Sequence, residues 1–216
     1  MKNTIKRKIK RIIKSPRIRF TVYLPFSILA GVLMALFKIT AGMITSSAWL
    51  IFAGVYYSVL CITRFYILKE NKKTVALDTR RKFIREFKAY RNTGFTLMLI
   101  TLPYLLMCVR MFRFRDFETH MTFIAVSFAI IAGIKLISGV IGIYNTKDIH
   151  SPLVSAVKRV NFCDALVSIS MTQAVLSALL CDGRFTPFSL ICGIGSAVIT
   201  FYLGYKMFIR YPSENI

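Results

Sequence analysis

The sequence predicts an all-α, polytopic membrane protein with six transmembrane helices and both termini in the cytoplasm. Three observations carry that reading. The chain is 56% hydrophobic with a mean hydropathy of +0.59, against roughly 45–50% apolar residues in ordinary soluble domains. The apolar residues come in long blocks, the pattern of bilayer spans. The 30 Lys and Arg outnumber the 9 Asp and Glu, and they crowd into alternate inter-block segments, which sets an orientation.

Residues 1–19 form a basic N-terminal segment with nine Lys or Arg and no acid. Ile5, Ile9, Ile12 and Ile13 recur at helical spacing, so this segment is expected to be an amphipathic helix on the membrane surface. Ser15-Pro16 is expected to end it. The transmembrane domain follows over residues 20–208, with apolar runs at 20–37, 44–62, 95–111, 121–144, 162–180 and 187–205. The first run is a full span with no short cleavable apolar region before it, so it is expected to remain as an anchor. The third run is the shortest. It must borrow flanking residues to reach the roughly 17–25 that a span needs, with Arg110 snorkelling to the surface.

Residues 63–94 are read as a basic cytoplasmic loop. It is expected to prolong the second helix and then to carry a short basic helix around "DTRRKFIREFKAYRN". It holds ten basic residues against Glu70, Asp78 and Glu86. Residues 209–216 form a short tail. Counting every segment, twenty-four basic residues fall on the side of the termini and five, Lys38, Arg110, Arg113, Arg115 and Arg184, on the other. That asymmetry places both termini in the cytoplasm and the chain in the cell membrane as a multi-pass protein. The same basic face suits anionic lipid. Nucleic acid is not an expected partner, because the basic residues flank the spans and form no domain of their own.

Several chemistries are unsupported. The cysteines at 61, 108, 163, 181 and 192 include no C-x-x-C pair and read as small packing residues, without a disulfide framework. No nucleotide-binding glycine loop, H-E-x-x-H, G-x-S-x-G or zinc-finger spacing occurs. His120 and His150 lie outside the runs, and no nucleophile–base constellation forms, so an enzyme is not expected. Asp148 and His150 in "KDIH" are two residues, too few for a metal site. No cofactor is implied.

Two charges lie inside spans, Lys135 in the fourth and Asp164 in the fifth. A buried charge costs roughly 2.5–3.5 kcal/mol on insertion scales and is a functional candidate by default. The alternatives are a proton or cation site, or a structural ion pair of Asp164 with Lys135 or Arg159. Asp164 is also expected in the first turn of its helix, where the dipole favours a carboxylate by about 0.3–1 kcal/mol. Trp49, Tyr56 and Tyr57 in the second span either line a pocket or pack helices. Gly42, Ser46 and Ser47, and the "ICGIGS" run at 191–196 with Gly193 and Gly195, suggest close helix contacts.

Three stretches share a resemblance: "KITAGMITSSAWLIFAGVYY" at 38–57, "GIKLISGVIGIYNTKDIHSPLVSAVKRVNFCDALVSIS" at 133–170, and "RFTPFSLICGIGSAVITFYLGYKMF" at 184–208. They cover more than a third of the chain and resemble the transmembrane domain of the cation diffusion facilitator, or cation efflux, family. The resemblance implies six spans with cytoplasmic termini and leaves room for a homodimer. It also implies a tetrahedral transport site with two ligands one turn apart on the second span and two on the fifth. Carried over by spacing, those positions are Tyr56 and Leu60, and Val160 and Asp164, with Tyr57 and Asn161 adjacent. Only Asp164 is a competent divalent-metal ligand, so the site is degenerate. No counterpart of the family's cytoplasmic metal-binding domain is expected after the sixth span. The expectation is a divergent secondary transporter that has lost the usual divalent-metal site, with Asp164, Tyr56, Tyr57 and Asn161 as transport-site candidates. The alternative is a non-transporting membrane scaffold or regulatory subunit whose basic face contacts anionic lipid or a protein partner.

Overall fold

The structure is a computed structural model that describes residues 16–44, 46–74, 77–114, 133–134, 137, 151–180 and 186–210. Among the described residues there are helices and no strands. The elements are α1 (Pro16–Ile44), α2 (Ala48–Thr74), α3 (Thr79–Phe114), α4 (Pro152–Leu180) and α5 (Pro187–Ile209). All five are long and apolar enough to cross a membrane. Most of the expected fourth span, including Lys135, lies outside the described residues, as do residues 1–15 of the basic segment, His120 and His150.

Helix starts follow local chemistry. α4 and α5 open on Pro152 and Pro187, where the missing N–H costs nothing. Thr186 caps α5, its hydroxyl accepting from Ser189 N at 3.3 Å. Pro25 and Pro103 sit inside α1 and α3, as spanning helices tolerate. Between α1 and α2 the chain turns through Ser46 at φ 52°, and Ser47 N donates to Gly42 O at 2.9 Å. α2 runs past its apolar stretch to Thr74. α3 starts only five residues later and carries the basic residues into the third apolar run without a break.

α1 lies along α2 and α3 along α5, while α4 touches α2, α3 and α5. A Cβ at Gly94 would come 2.7 Å from the Gly204 carbonyl, so α3 and α5 meet backbone to backbone, the small-residue packing of membrane helices. The core includes Trp49, Tyr56, Tyr57, Leu60, Leu97, Tyr104, Val160 and Val167. Outward faces are apolar too: Phe26, Leu29 and Leu33 on α1, Leu99, Leu102 and Leu106 on α3, and Phe188, Ile191 and Val198 on α5 are exposed. A soluble protein rarely shows such continuous apolar surface. Together with the spans it marks a multi-pass membrane fold.

Candidate functional site

Residue positions along the helices determine what can meet. Tyr57 and Arg64 are seven residues apart on α2, two turns on one face, and Asp164 and Ser168 are one turn apart on α4. Tyr57 Oη is hydrogen-bonded to Ser168 Oγ, and Arg64 Nη2 donates to Asp164 Oδ2 at 2.6 Å. Successive contacts run forward on α2 and backward on α4, so the two helices are antiparallel here. With a rise of about 1.5 Å per residue, Arg64 stands roughly 24 Å from the start of α2. Asp164 stands about the same distance from the end of α4. Both distances are shorter than the thickness of a hydrocarbon core, about 30 Å.

The pair is closed off from solvent, with side-chain exposures of 4% for Arg64 and 5% for Asp164. Arg64 Nε also donates to Asn161 Oδ1 at 3.2 Å. Ser168 Oγ donates to Asp164 Oδ1 at 3.3 Å, so Tyr57 is the donor to Ser168. The polar chain therefore converges from both ends on one carboxylate: Tyr57 to Ser168 to Asp164 from one side, and Arg64 from the other. α1 completes the enclosure. At Gly31 a Cβ would come 2.5 Å from Cys61 Sγ and within ordinary contact, 3.4 Å, of Arg64 Nη1, so a larger residue would press α1 against Cys61, one turn before Arg64. Farther toward the α1–α2 turn, the Lys38 ammonium lies 5.0 Å from the Tyr57 ring centroid, a cation–π distance, and Lys38 is buried.

The four carried-over positions divide sharply. Asp164 is at the centre of the polar chain. Val160 and Leu60 are buried core residues with no donor atom to offer a metal. Tyr56 is buried, edge-on to Tyr57 with ring centroids 6.1 Å apart and tilted against Tyr104 at 5.9 Å. Its hydroxyl has no hydrogen-bond partner among the described residues. The two adjacent candidates, Tyr57 and Asn161, do join the site. Among the described residues no three His, Cys, Asp or Glu side chains cluster as a metal site would need.

Two expectations about Asp164 are corrected. It is not in the first turn of its helix. α4 begins at Pro152, so Asp164 lies about three turns inside and gains little from the N-terminal dipole, which fades within the first turn. Nor does Arg159 hold it: the Arg159 guanidinium sits over the Tyr90 ring at 5.4 Å, and Arg64 holds the carboxylate instead. Arg64 itself falls among the loop cations when the sequence is read by hydropathy, because it lies two residues past the second apolar run. The missed signal was spacing, since Arg64 continues the Tyr56–Leu60 stripe by one more turn.

A second polar group ties α4 to α5 nearer the Leu180 end. Gln173 Nε2 donates to Ser177 Oγ at 2.9 Å and to Ser189 Oγ at 3.2 Å. Between the two groups, Tyr104 Oη and Ser196 Oγ lie 3.2 Å apart. The free cysteines 61, 108 and 163 are buried and 192 is half-buried, while Cys181 lies outside the described residues. Comparison with known protein families finds none that matches the chain, and comparison with curated proteins finds no significant match.

Proposed function

We propose that this chain is a divergent secondary transporter of the cell membrane, with six spans, cytoplasmic termini and the helix arrangement of the cation efflux family, in which protons rather than a divalent metal act at Asp164. The observation that carries the reading is the buried Arg64–Asp164 pair. In a metal-transporting relative the carboxylate oxygens would face the cargo ion. Here a fixed guanidinium takes that position. A divalent ion entering beside Arg64 would meet like charge at a cost of about 8 kcal/mol, twice the unit-charge value for about 4 Å and an effective dielectric of about 20. A proton carries a single charge and needs no ligand set: it neutralises Asp164, at the cost of leaving the Arg64 guanidinium uncompensated and free to move. The pair thereby becomes a two-state element, closed when Asp164 is ionised and weakened when it is protonated. Tyr57 and Ser168 supply a hydroxyl path to the carboxylate from the opposite end of the bundle.

Proton flux in proteoliposomes under an imposed pH gradient tests this. The parent protein is expected to carry protons and Asp164→Asn to carry none. Equal flux from both would remove Asp164 from the coupling role.

A second reading, a non-transporting scaffold or regulatory subunit, draws on the completeness of the same pair. Asp164 is already neutralised by Arg64, and the pair needs no ligand to be stable. Under that reading the parent protein shows no flux at any gradient, and Arg64→Gln acts on stability alone.

A further inference from the structure

One corner of the bundle lies apart from the Arg64–Asp164 site and carries positive charge in excess. Arg81, Ile84, Arg85 and Lys88 lie at i, i+3, i+4 and i+7 on α3, a single helix face. Together with Tyr66 and Glu70 of α2 they line an open groove of about 470 Å³. The one carboxylate in it is already engaged, since Glu70 accepts from Arg85 Nε at 2.8 Å and from Lys73 Nζ at 3.1 Å. Arg81 and Lys88 are exposed and make no ion pair among the described residues. Asn92 Nδ2 donates to Tyr66 Oη at 3.1 Å, a polar link between α2 and α3 beside the groove. One turn before Tyr66 the α2 surface turns apolar, with Ile62 67% exposed. The groove therefore sits where an apolar span gives way to charge, the level of lipid headgroups.

We propose that this groove binds the phosphate of an anionic phospholipid headgroup, with Arg81 and Lys88 as its cationic contacts, Arg85 held in place by Glu70, and the acyl chains lying along α2 at Ile62. Charge complementarity favours an anion. The adjoining exposed apolar surface favours a lipid over a free phosphate, because only a lipid covers both. The inference rests on the membrane fold alone and is independent of whether the chain transports.

The test is native mass spectrometry of the full-length protein in detergent, titrated with phosphatidylglycerol or phosphatidylcholine. The parent is expected to retain phosphatidylglycerol in preference. Arg81→Gln with Lys88→Gln is expected to weaken that binding roughly thirtyfold, on the scale of two headgroup-level cations. The charge-matched control Lys206→Gln with Arg210→Gln, outside the groove, is expected to bind as the parent does. Equal loss in both double variants would reduce the effect to diffuse charge and overturn the site. Displacement of the lipid by millimolar inorganic phosphate would identify a soluble anion site and overturn the lipid assignment. Thermal unfolding of each variant confirms that it is folded when titrated, and proton flux measured in the same variants keeps this outcome separate from that of the transport reading.

Discussion

Arg64 on α2 and Asp164 on α4 are a hundred residues apart in sequence and meet at 2.6 Å inside the bundle. Two opposite charges there are far cheaper than one. Removing a single partner from a buried pair leaves an uncompensated charge and costs about 3–5 kcal/mol, whereas apolar replacement of both is often neutral or stabilising. Arg64→Ala is therefore expected to lower the unfolding midpoint in detergent steeply. Arg64→Met with Asp164→Leu is expected to recover most of that loss. A double variant as unstable as the single one would mean that the pair contributes specific geometry beyond charge balance.

The shape of the guanidinium is expected to matter as well as its charge. The guanidinium reaches Asn161 through Nε and Asp164 through Nη2, two acceptors on adjacent turns of α4. A lysine is a point charge on a flexible stem and cannot present that planar fork. Arg64→Lys is expected to keep the ion pair and lose the Asn161 bond, for about 0.5–1.5 kcal/mol. In an Asn161→Ala background the same substitution should cost less, which a double-mutant cycle measures. Additive costs would show that Asn161 is not coupled to Arg64.

The two neighbouring tyrosines should behave oppositely. Tyr57 donates to Ser168 in the chain that ends on Asp164, so Tyr57→Phe removes one buried bond while Ser168 keeps its own to Asp164, for about 0.5–1.5 kcal/mol. The Tyr56 hydroxyl has no hydrogen-bond partner among the described residues. Tyr56→Phe is expected to be neutral or stabilising in thermal unfolding, because it deletes a desolvated donor. If Tyr56→Phe destabilises as much as Tyr57→Phe, the hydroxyl has a partner, such as buried water.

Hydropathy made most of the bundle legible, and spacing made part of the site legible. The runs near 20–37, 44–62, 95–111, 162–180 and 187–205 each fall mainly inside a helix, because apolar length and bilayer thickness impose the same requirement. Asp164 stood out as a lone acid in an apolar run. Arg64 did not, because a basic residue beside a span is the ordinary signature of an interface, and only its tertiary partner distinguishes it. The start of α4 was obscured in the same way. Lys158 and Arg159 made residues 151–161 look like a loop, although Leu153, Val154, Val157 and Val160 recur at helical spacing after Ser151-Pro152, a helix-start pair. All four of those apolar side chains are buried. Burial of one face outweighed the polarity of the other.

The site is also expected to reject divalent metal. Calorimetric titration of the purified protein with Zn²⁺, Mn²⁺ and Fe²⁺ should show no saturable binding, because Leu60 and Val160 offer no ligand and Arg64 already occupies Asp164. Micromolar binding that disappears in Asp164→Ala would overturn that expectation and restore the metal reading implied by the resemblance.

The crossing of α3 and α5 gives a prediction free of charge. A Cβ at Gly94 would lie 2.6 Å from the Met207 Cβ and 2.7 Å from the Gly204 carbonyl, whereas at Gly195 nothing lies within 4 Å. A backbone carbonyl cannot rotate aside as the end of a flexible side chain can, so Gly94→Ala must push the helices apart. That overpacking costs about 1–3 kcal/mol. Gly195→Ala is expected to be neutral or slightly stabilising, since alanine is the better helix former by about 1 kcal/mol. The two variants add the same methyl group to different helices of one bundle. Unfolding midpoints that drop for Gly94→Ala and hold for Gly195→Ala would locate the tight contact at the α3–α5 crossing. Equal midpoints would mean that the two helices stand farther apart in the bilayer than their glycine contact implies.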